Sequence, residues 1–250
     1  MSQHDSVPSD WSRPRRIVVH PHCGTDHCTN CDARQSSLCG VLDDHDITRL
    51  ASLAQQMVIP AGQGFIEDGA AAENFYNVTH GTVRLYKMLP DGRRQITGFA
   101  GPGHFLGLAV STTYAFAAEA IDDVNLCRFS RPKLKALLTD LPALERRLLD
   151  VAANELALAQ EQMLLLGRKT ARERLASFLM HLLPEAESGP FMLHLPMPRA
   201  DIADYIGLTV ETVSRSFGWL KSEGLIGIDG ATELRVRDMK GLRAVADGVH

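Results

Sequence analysis

No stretch of the chain approaches the ~18–20 uninterrupted apolar residues of a membrane span, which argues against a transmembrane protein. The segment Met1 to Arg16 is polar and lacks an apolar signal-peptide core, so a cytoplasmic location is expected. Basic residues are not in excess. The 26 Lys and Arg face 30 Asp and Glu, a net charge of −4, so global charge gives no hint of a nucleic-acid partner. No glycine-rich phosphate loop, Ser-His-Asp arrangement or zinc-hydrolase helix is present, and His45, His80, His104, His181 and His194 show no ligand spacing. An enzyme is therefore not expected. Cysteines number only five, and an odd count excludes a fully paired disulfide framework. What the chain does have is crowding: Cys23, Cys28, Cys31 and Cys39 lie close together, beside His20, His22 and His27, with Cys127 far away. In a reducing compartment such crowding points to a metal or a redox device.

Residues 1 to about 22 read as a flexible polar arm, with Pro8, Pro14 and Pro21 opposing regular structure. A short helix is expected over Asp44–Met57, burying Leu50, Leu53 and Ala54. From about Val58 to Arg131, recurrent glycines separate short β-prone runs such as Phe75–Val78, Thr82–Lys87, Gln95–Phe99 and Val124–Phe129. Asp91-Gly92 is a hairpin signal, and the whole stretch reads as a small β-barrel or roll. After Pro132 the pattern turns helical. Leu149, Ala152, Leu156, Ala159, Met163 and Leu166 follow a 3-4-3-4-3 spacing. That stripe fits either close approach of a second helix or an ordinary core-facing helix. Gly167 interrupts it, Thr170 and Glu173 fit a capping box for a helix to about Leu183, and a loop over Pro184–Pro190 follows.

Arg199–Ile206 reads as a short amphipathic helix, Gly207 permits a tight turn, and Thr209 can cap a second helix over Val210–Glu223. Together they form a helix-turn-helix, backed by a two-strand wing at Leu225–Ile228 and Glu233–Val236. Glu211, Ser214 and Arg215 face outward in the first turn and a half of the second helix. Arg215 can donate two bonds to guanine O6 and N7, worth about 1–3 kcal/mol of discrimination. Glu211 can accept from cytosine N4 and hold the Arg215 fork, Ser214 can reach a base edge or phosphate, and Thr212 suits the backbone. The plainer alternative is a solvated Glu211–Arg215 pair on a protein-contact module. Arg168, Lys169, Arg172, Arg174, Arg199, Arg215 and Lys221 are candidates for a local positive face.

The Cys28-x2-Cys31-x7-Cys39 spacing, with remote Cys127, suits an iron–sulfur cluster or zinc, with His20, His22 or His27 available to zinc as a nitrogen ligand. Spacing leaves the two open. Cys127 by itself is equally read as a buried small hydrophobe, which does not account for the N-terminal trio.

The stretch Gly207-Leu-Thr-Val-Glu-Thr-Val-Ser-Arg215, with the β-rich first half and the long connecting helix, resembles the CRP/FNR family of bacterial transcription regulators from about Cys28 to Asp247. Gln95-Ile-Thr-Gly-Phe99 and Leu164-Leu-Leu166 resemble the FNR branch, and the x7 spacing its FnrN/FixK-like versions. The resemblance implies an α+β fold: a cyclic-nucleotide-binding-like β-roll, a long dimerisation helix and a C-terminal winged helix-turn-helix. The expected segments are an arm with the cysteines over 1–40, the roll over 41–138, the dimerisation helix over 139–167 and the DNA-binding domain over 168–250. It further implies a homodimeric activator on palindromic double-stranded DNA with TTGAT half-sites read by Glu211, Ser214 and Arg215, with RNA polymerase as a partner. Cys28, Cys31, Cys39 and Cys127 would hold an oxygen-labile 4Fe–4S cluster, and Cys23 has no assigned role. Leu38 and Asp32, beside two of those cysteines, are expected to tune access and potential. A cyclic nucleotide is not expected: Gly103–Gly107 and Thr113–Ala117 bring no Arg to meet its phosphate.

Overall fold

The computed structural model describes residues 16–21, 28, 30–108, 112–183 and 191–249. The arm before residue 16, Cys23, His22, His27 and the 184–190 loop lie outside them.

The chain enters through strand β1 (Val18–His20), a 3-10 turn (Leu38–Val41) and helix α1 (Asp44–Leu53). Strands β2 (Ala54–Ile59), β3 (Gly64–Ile66), β4 (Asn74–His80) and β5 (Val83–Met88) follow, then β6 (Arg94–Ala100), β7 (Phe105–Leu106), β8 (Ala117–Ala120) and β9 (Val124–Ser130). They form two antiparallel-paired sheets, ordered β1-β2-β9-β4-β7 and β3-β8-β5-β6. Gly92, with φ of +84°, closes the β5–β6 hairpin as the Asp91-Gly92 step predicts.

The central strands β4 and β9 of the five-stranded sheet are buried on both faces, and strand alternation sorts their residues. Tyr76, Val78, Val124 and Leu126 look inward toward the second sheet. Phe75, Cys127 and Phe129 look the other way, into a core with Leu38, Ile47, Leu50, Leu134 and Leu144.

Helix α2 (Arg131–Asp140) leads to the long helix α3 (Pro142–Arg168), the two separated at Leu141. Then come α4 (Ala171–His181), β10 (Phe191–His194), α5 (Arg199–Ile206), α6 (Val210–Ser222), β11 (Ile226–Ile228), β12 (Glu233–Val236) and α7 (Met239–Ala246). The Thr170 N–H donates to Glu173 at 3.0 Å, which starts α4. Gly207 adopts φ +64°, a left-handed conformation that favours glycine, and a Cβ there would press on the Leu166 side chain at 3.0 Å.

Several expectations are corrected. Helix α1 stops at Leu53, and Ala54–Ile59 is a strand, because Met57 and Ile59 bury in the roll while the backbone pairs with β9. The helix buries Ile47, Leu50 and Ala51; Leu53 is only half-buried. The end of the expected arm is β1, zipped onto β2. The wing sheet has a third strand, β10 on β12, and α7 closes the domain; neither was anticipated.

Candidate functional site: a thiol pocket and an exposed helix

Cys31 and Cys39 flank a tight run of turns. The Arg34 N–H bonds the Cys31 carbonyl at 3.0 Å, and the Ser37 N–H bonds Ala33 at 3.0 Å. Buried Ser37 caps the 3-10 turn, accepting from the Cys39 N–H at 3.1 Å while donating to the Arg34 carbonyl at 3.0 Å. A Cβ at Gly40 would meet the Gln35 carbonyl at 2.7 Å, so the backbone closes on itself there. Leu38 anchors the turn in the core; Asp32 faces solvent.

These turns lay Cys28, Cys31 and Cys39 over Cys127, which is buried on the central strand β9. All four thiols line one pocket with Arg34, Ile47, Asn77 and Thr79. The remaining space is about 20 Å³, room for about one water-sized body. Burial pushes the Cys39 thiol up to about 11 and raises Cys31, with Cys28 adding to both shifts. A metal would therefore displace protons from these sulfurs.

Sulfur spacing separates the candidate metals. Among the described residues, the one potential ligand triad with donor atoms mutually within 4.8 Å is Asp43, His45 and half-buried Asp46 at the start of α1, so no three of the sulfurs meet that spacing. A tetrahedral zinc with Zn–S near 2.3 Å draws its sulfurs to about 3.8 Å apart. No three of the thiols are as close together as one zinc ion would hold them, so zinc would require the turn to shift.

That turn also touches α3. Arg147 donates to the Ser36 carbonyl at 3.5 Å, and Leu144, Leu148 and Val151 pack into the same core as Cys28 and Cys39. Farther along α3, Leu149, Leu156 and Met163 are 66%, 62% and 66% exposed, and Ala152 and Ala159 are exposed with them. Leu166 alone of the stripe turns onto the C-terminal core. Among the described residues, the stripe's other five members are left exposed.

On α6, Val213, Phe217 and Leu220 point into the C-terminal core. The Thr209 hydroxyl accepts from the Thr212 N–H at 3.2 Å and lies 2.9 Å from the Thr212 hydroxyl. Glu211, Ser214 and Arg215 are exposed on one side. Arg215 Nη2 meets Glu211 Oε1 at 2.5 Å, and Ser214 Oγ donates to the Val210 carbonyl at 2.9 Å. Glu211 thus holds the Arg215 fork while both remain accessible.

The expected positive face is thinner than the sequence suggested. Arg174 donates to the carbonyls of Leu166, Lys169, Ile206 and Gly207, stapling the ends of α3 and α5 together. Lys169 binds Ser177 and the Ala246 carbonyl. Arg199 lies 3.3 Å from the Phe217 ring centre, and Arg172 stacks over Trp219 at 4.2 Å. Arg168, Arg172, Arg215 and Lys221 are the members of that set still exposed to solvent.

A clasp that sequence reading missed joins the roll to α5. Asp201, with a side chain 2% exposed, accepts from Arg84 at 2.7 Å and from Arg94 at 2.6 Å. Arg84 also meets Glu119, and Arg94 meets Asp204 at 2.9 Å. Gln95 donates to the Asp204 carbonyl at 2.6 Å, and Phe99 packs edge-on against Tyr205 at 5.4 Å. The Gln95–Phe99 stretch therefore meets the first helix of the helix-turn-helix.

Residues 173–245 match the model of the Crp-like helix-turn-helix domain, and residues 56–140 that of the cyclic nucleotide-binding domain. The nitrogen fixation regulation protein FixK of Bradyrhizobium diazoefficiens is 39% identical over 219 residues, covering 86% of this chain and 92% of that protein. The transcriptional activatory protein AadR of Rhodopseudomonas palustris is 43% identical over 223 residues, covering 87% and 92%. The solved structure of FixK2 from Bradyrhizobium japonicum superposes with a TM-score of 0.72 at 38% identity, covering 77% of this chain and 96% of that one.

Proposed function

Because this chain belongs to the CRP/FNR family of transcription regulators, in its FNR/FixK branch, we propose that it is an oxygen-responsive, homodimeric activator acting on palindromic DNA in the cytoplasm. The family is one of DNA-binding regulators, not enzymes. The observation that carries the sensing part is the meeting of four thiols, three from the N-terminal turns and one from β9, in a pocket packed against the start of α3.

An all-thiolate set of four fits iron–sulfur chemistry, so Cys28, Cys31, Cys39 and Cys127 would hold a 4Fe–4S cluster. When bound, such a cluster supplies an oxygen-labile group. The protein does the rest. Ligation by residues from both places ties the turns to β9. Leu144, Leu148 and Arg147 then pass the position of the turns to α3, whose exposed Leu149, Ala152, Leu156, Ala159 and Met163 pair with a second copy. A two-fold pair sets two α6 helices toward half-sites about one helical turn apart. There Arg215 donates to guanine, Glu211 accepts from cytosine and steadies Arg215, Ser214 reaches a base or phosphate, and Thr212 positions the backbone. RNA polymerase is the partner such an activator engages. In the roll, Arg131 is committed to the Gly107 carbonyl at 2.8 Å and Arg84 to the clasp, which supports reading the roll as a scaffold without a nucleotide.

Anaerobic quantification of iron and sulfide on the pure protein, with DNA binding to TTGAT palindromes measured before and after air, tests this reading. Four iron and four sulfide per chain are expected, with affinity falling as the visible absorption bleaches. Equal binding with and without iron would sink the sensor. A second reading, a single zinc ion on the same thiols with the turn drawn in, is distinguished directly by metal analysis. Signalling by thiol oxidation alone, or by haem in the roll, would leave the protein without stoichiometric iron–sulfide or zinc.

A further inference from the structure

Asn77 occupies a place the strand pattern reserves for an apolar side chain. It lies on β4 two residues after Phe75 and on the same face, directly opposite Cys127 on β9 and Phe105 on β7. Phe75, Phe105 and Phe129 on that face build a core, and asparagine is depleted in strands. Asn77 is nonetheless 2% exposed, and its Oδ1 has no hydrogen-bond partner among the described residues. The other polar side chains lining the pocket are engaged: Thr79 donates to the Asn125 carbonyl at 3.1 Å, and Arg34 to the Leu42 carbonyl at 3.0 Å.

Folding a carboxamide into this position without a partner is costly, so its chemistry asks for one inside the pocket. Thiol S–H groups are weak donors and poor partners for a carbonyl oxygen. Metal-bound sulfur is an electron-rich acceptor, and rotation of the amide about its last torsion exchanges oxygen and NH2 in the same space. We propose that Asn77 is a positioning residue of the thiol pocket, donating its amide N–H to the sulfur of the metal-bound state. This rests on the metal reading given above and adds a residue to it. Asn77 then disfavours the empty pocket and favours the filled one, and sets the potential of a redox-active occupant through hydrogen bonding to sulfur.

Two substitutions in the full-length protein test it. Asn77→Leu removes the polar group and keeps the branch at Cγ, with two methyl groups in place of the amide oxygen and nitrogen. Asn77→Asp keeps the shape and removes the donor. Each is compared with the parent in three forms: metal-free, reconstituted anaerobically with iron and sulfide, and loaded with Co(II) alone. Both variants should hold metal roughly 10- to 100-fold less tightly against a chelator. Asn77→Leu should also shift the reduction potential of the iron form while its metal-free melting temperature stays equal or rises. Parent-like metal retention and potential in both variants would overturn the role of Asn77 and leave the thiol reading intact. An Asn77→Leu protein less stable than the parent in the metal-free form would mark Asn77 as a packing residue, also overturning it. A parent protein that takes up neither iron and sulfide nor Co(II) would remove the thiol reading itself, and this role with it.

Discussion

Arg215 and Glu211 lie side by side on α6 at 77% and 73% exposure, while Arg84 and Arg94 grip an Asp201 side chain that is 2% exposed. The chemistry of the two sites is the same and the physics is opposite. An exposed i,i+4 pair contributes a few tenths of a kcal/mol and costs little to open, so Arg215 is available to a partner. A buried carboxylate between two guanidiniums has given up its water and depends on both. Placement, not residue type, makes one pair a recognition device and the other a clasp between the roll and the helix-turn-helix.

The sharpest way to break the contrast is to strand the buried charge. Arg84→Gln with Arg94→Gln leaves Asp201 unpaired, and should destabilise the protein by about 3–5 kcal/mol in denaturant titration. Adding Asp201→Asn should recover most of that loss, since the stranded charge is then gone. No recovery would mean that the arginines act through packing alone. Next in size is a charge placed where the chain alone leaves it harmless. Leu156→Asp should barely change the unfolding of a dilute monomer, yet weaken association roughly 100-fold in sedimentation, because pairing would bury it. A dimer of unchanged affinity would remove the α3 stripe from the interface.

The exposed pair is probed by Arg215→Ala. Stability should move by less than about 0.5 kcal/mol, while affinity for the palindrome falls by about 1–3 kcal/mol, or roughly 5- to 150-fold. Unchanged DNA binding would return the Glu211–Arg215 pair to a solvated ornament of the helix. The smallest effect lies in the thiol pocket. Burial raises Cys39 from 9.0 to about 11, so the folded state holds its proton where the unfolded state releases it. That contribution is complete below pH 9 and is lost as pH rises toward 11. Metal-free protein should weaken across that window in urea unfolding, and Cys39→Ser should flatten the decline.

The recognition half was the more legible. Arg199–Ile206, the Gly207 turn, the Thr209 cap and the wing strands Ile226–Ile228 and Glu233–Val236 match their sequence signals almost residue for residue. Each signal is local: a cap, a left-handed glycine or a period of 3.6, all set within a turn or two of chain. The sensor half depends on distant pairings. Residues 54–59 carry a helix-compatible pattern, yet pairing with β9 makes them a strand. His20 faced the metal question from sequence and sits instead on β1, across from Gln56. Asn77 carried a faint signal, a polar residue between Tyr76 and Val78 in an otherwise apolar strand, but its meaning depends on Cys127 across the ladder.

By itself the sequence determined the helix-turn-helix, the hairpin at Asp91-Gly92, the capped start of α4, the apolar stripe of α3 and the presence of a cysteine trio, because spacing along the chain encodes those features. Only the tertiary structure decided which charges are buried, that the stripe is left uncovered, that several arginines counted toward a basic face are tied up inside, and that Cys127 meets the trio beside Asn77. Burial and convergence belong to surfaces brought together across the chain, and no local pattern specifies what will cover a given side chain.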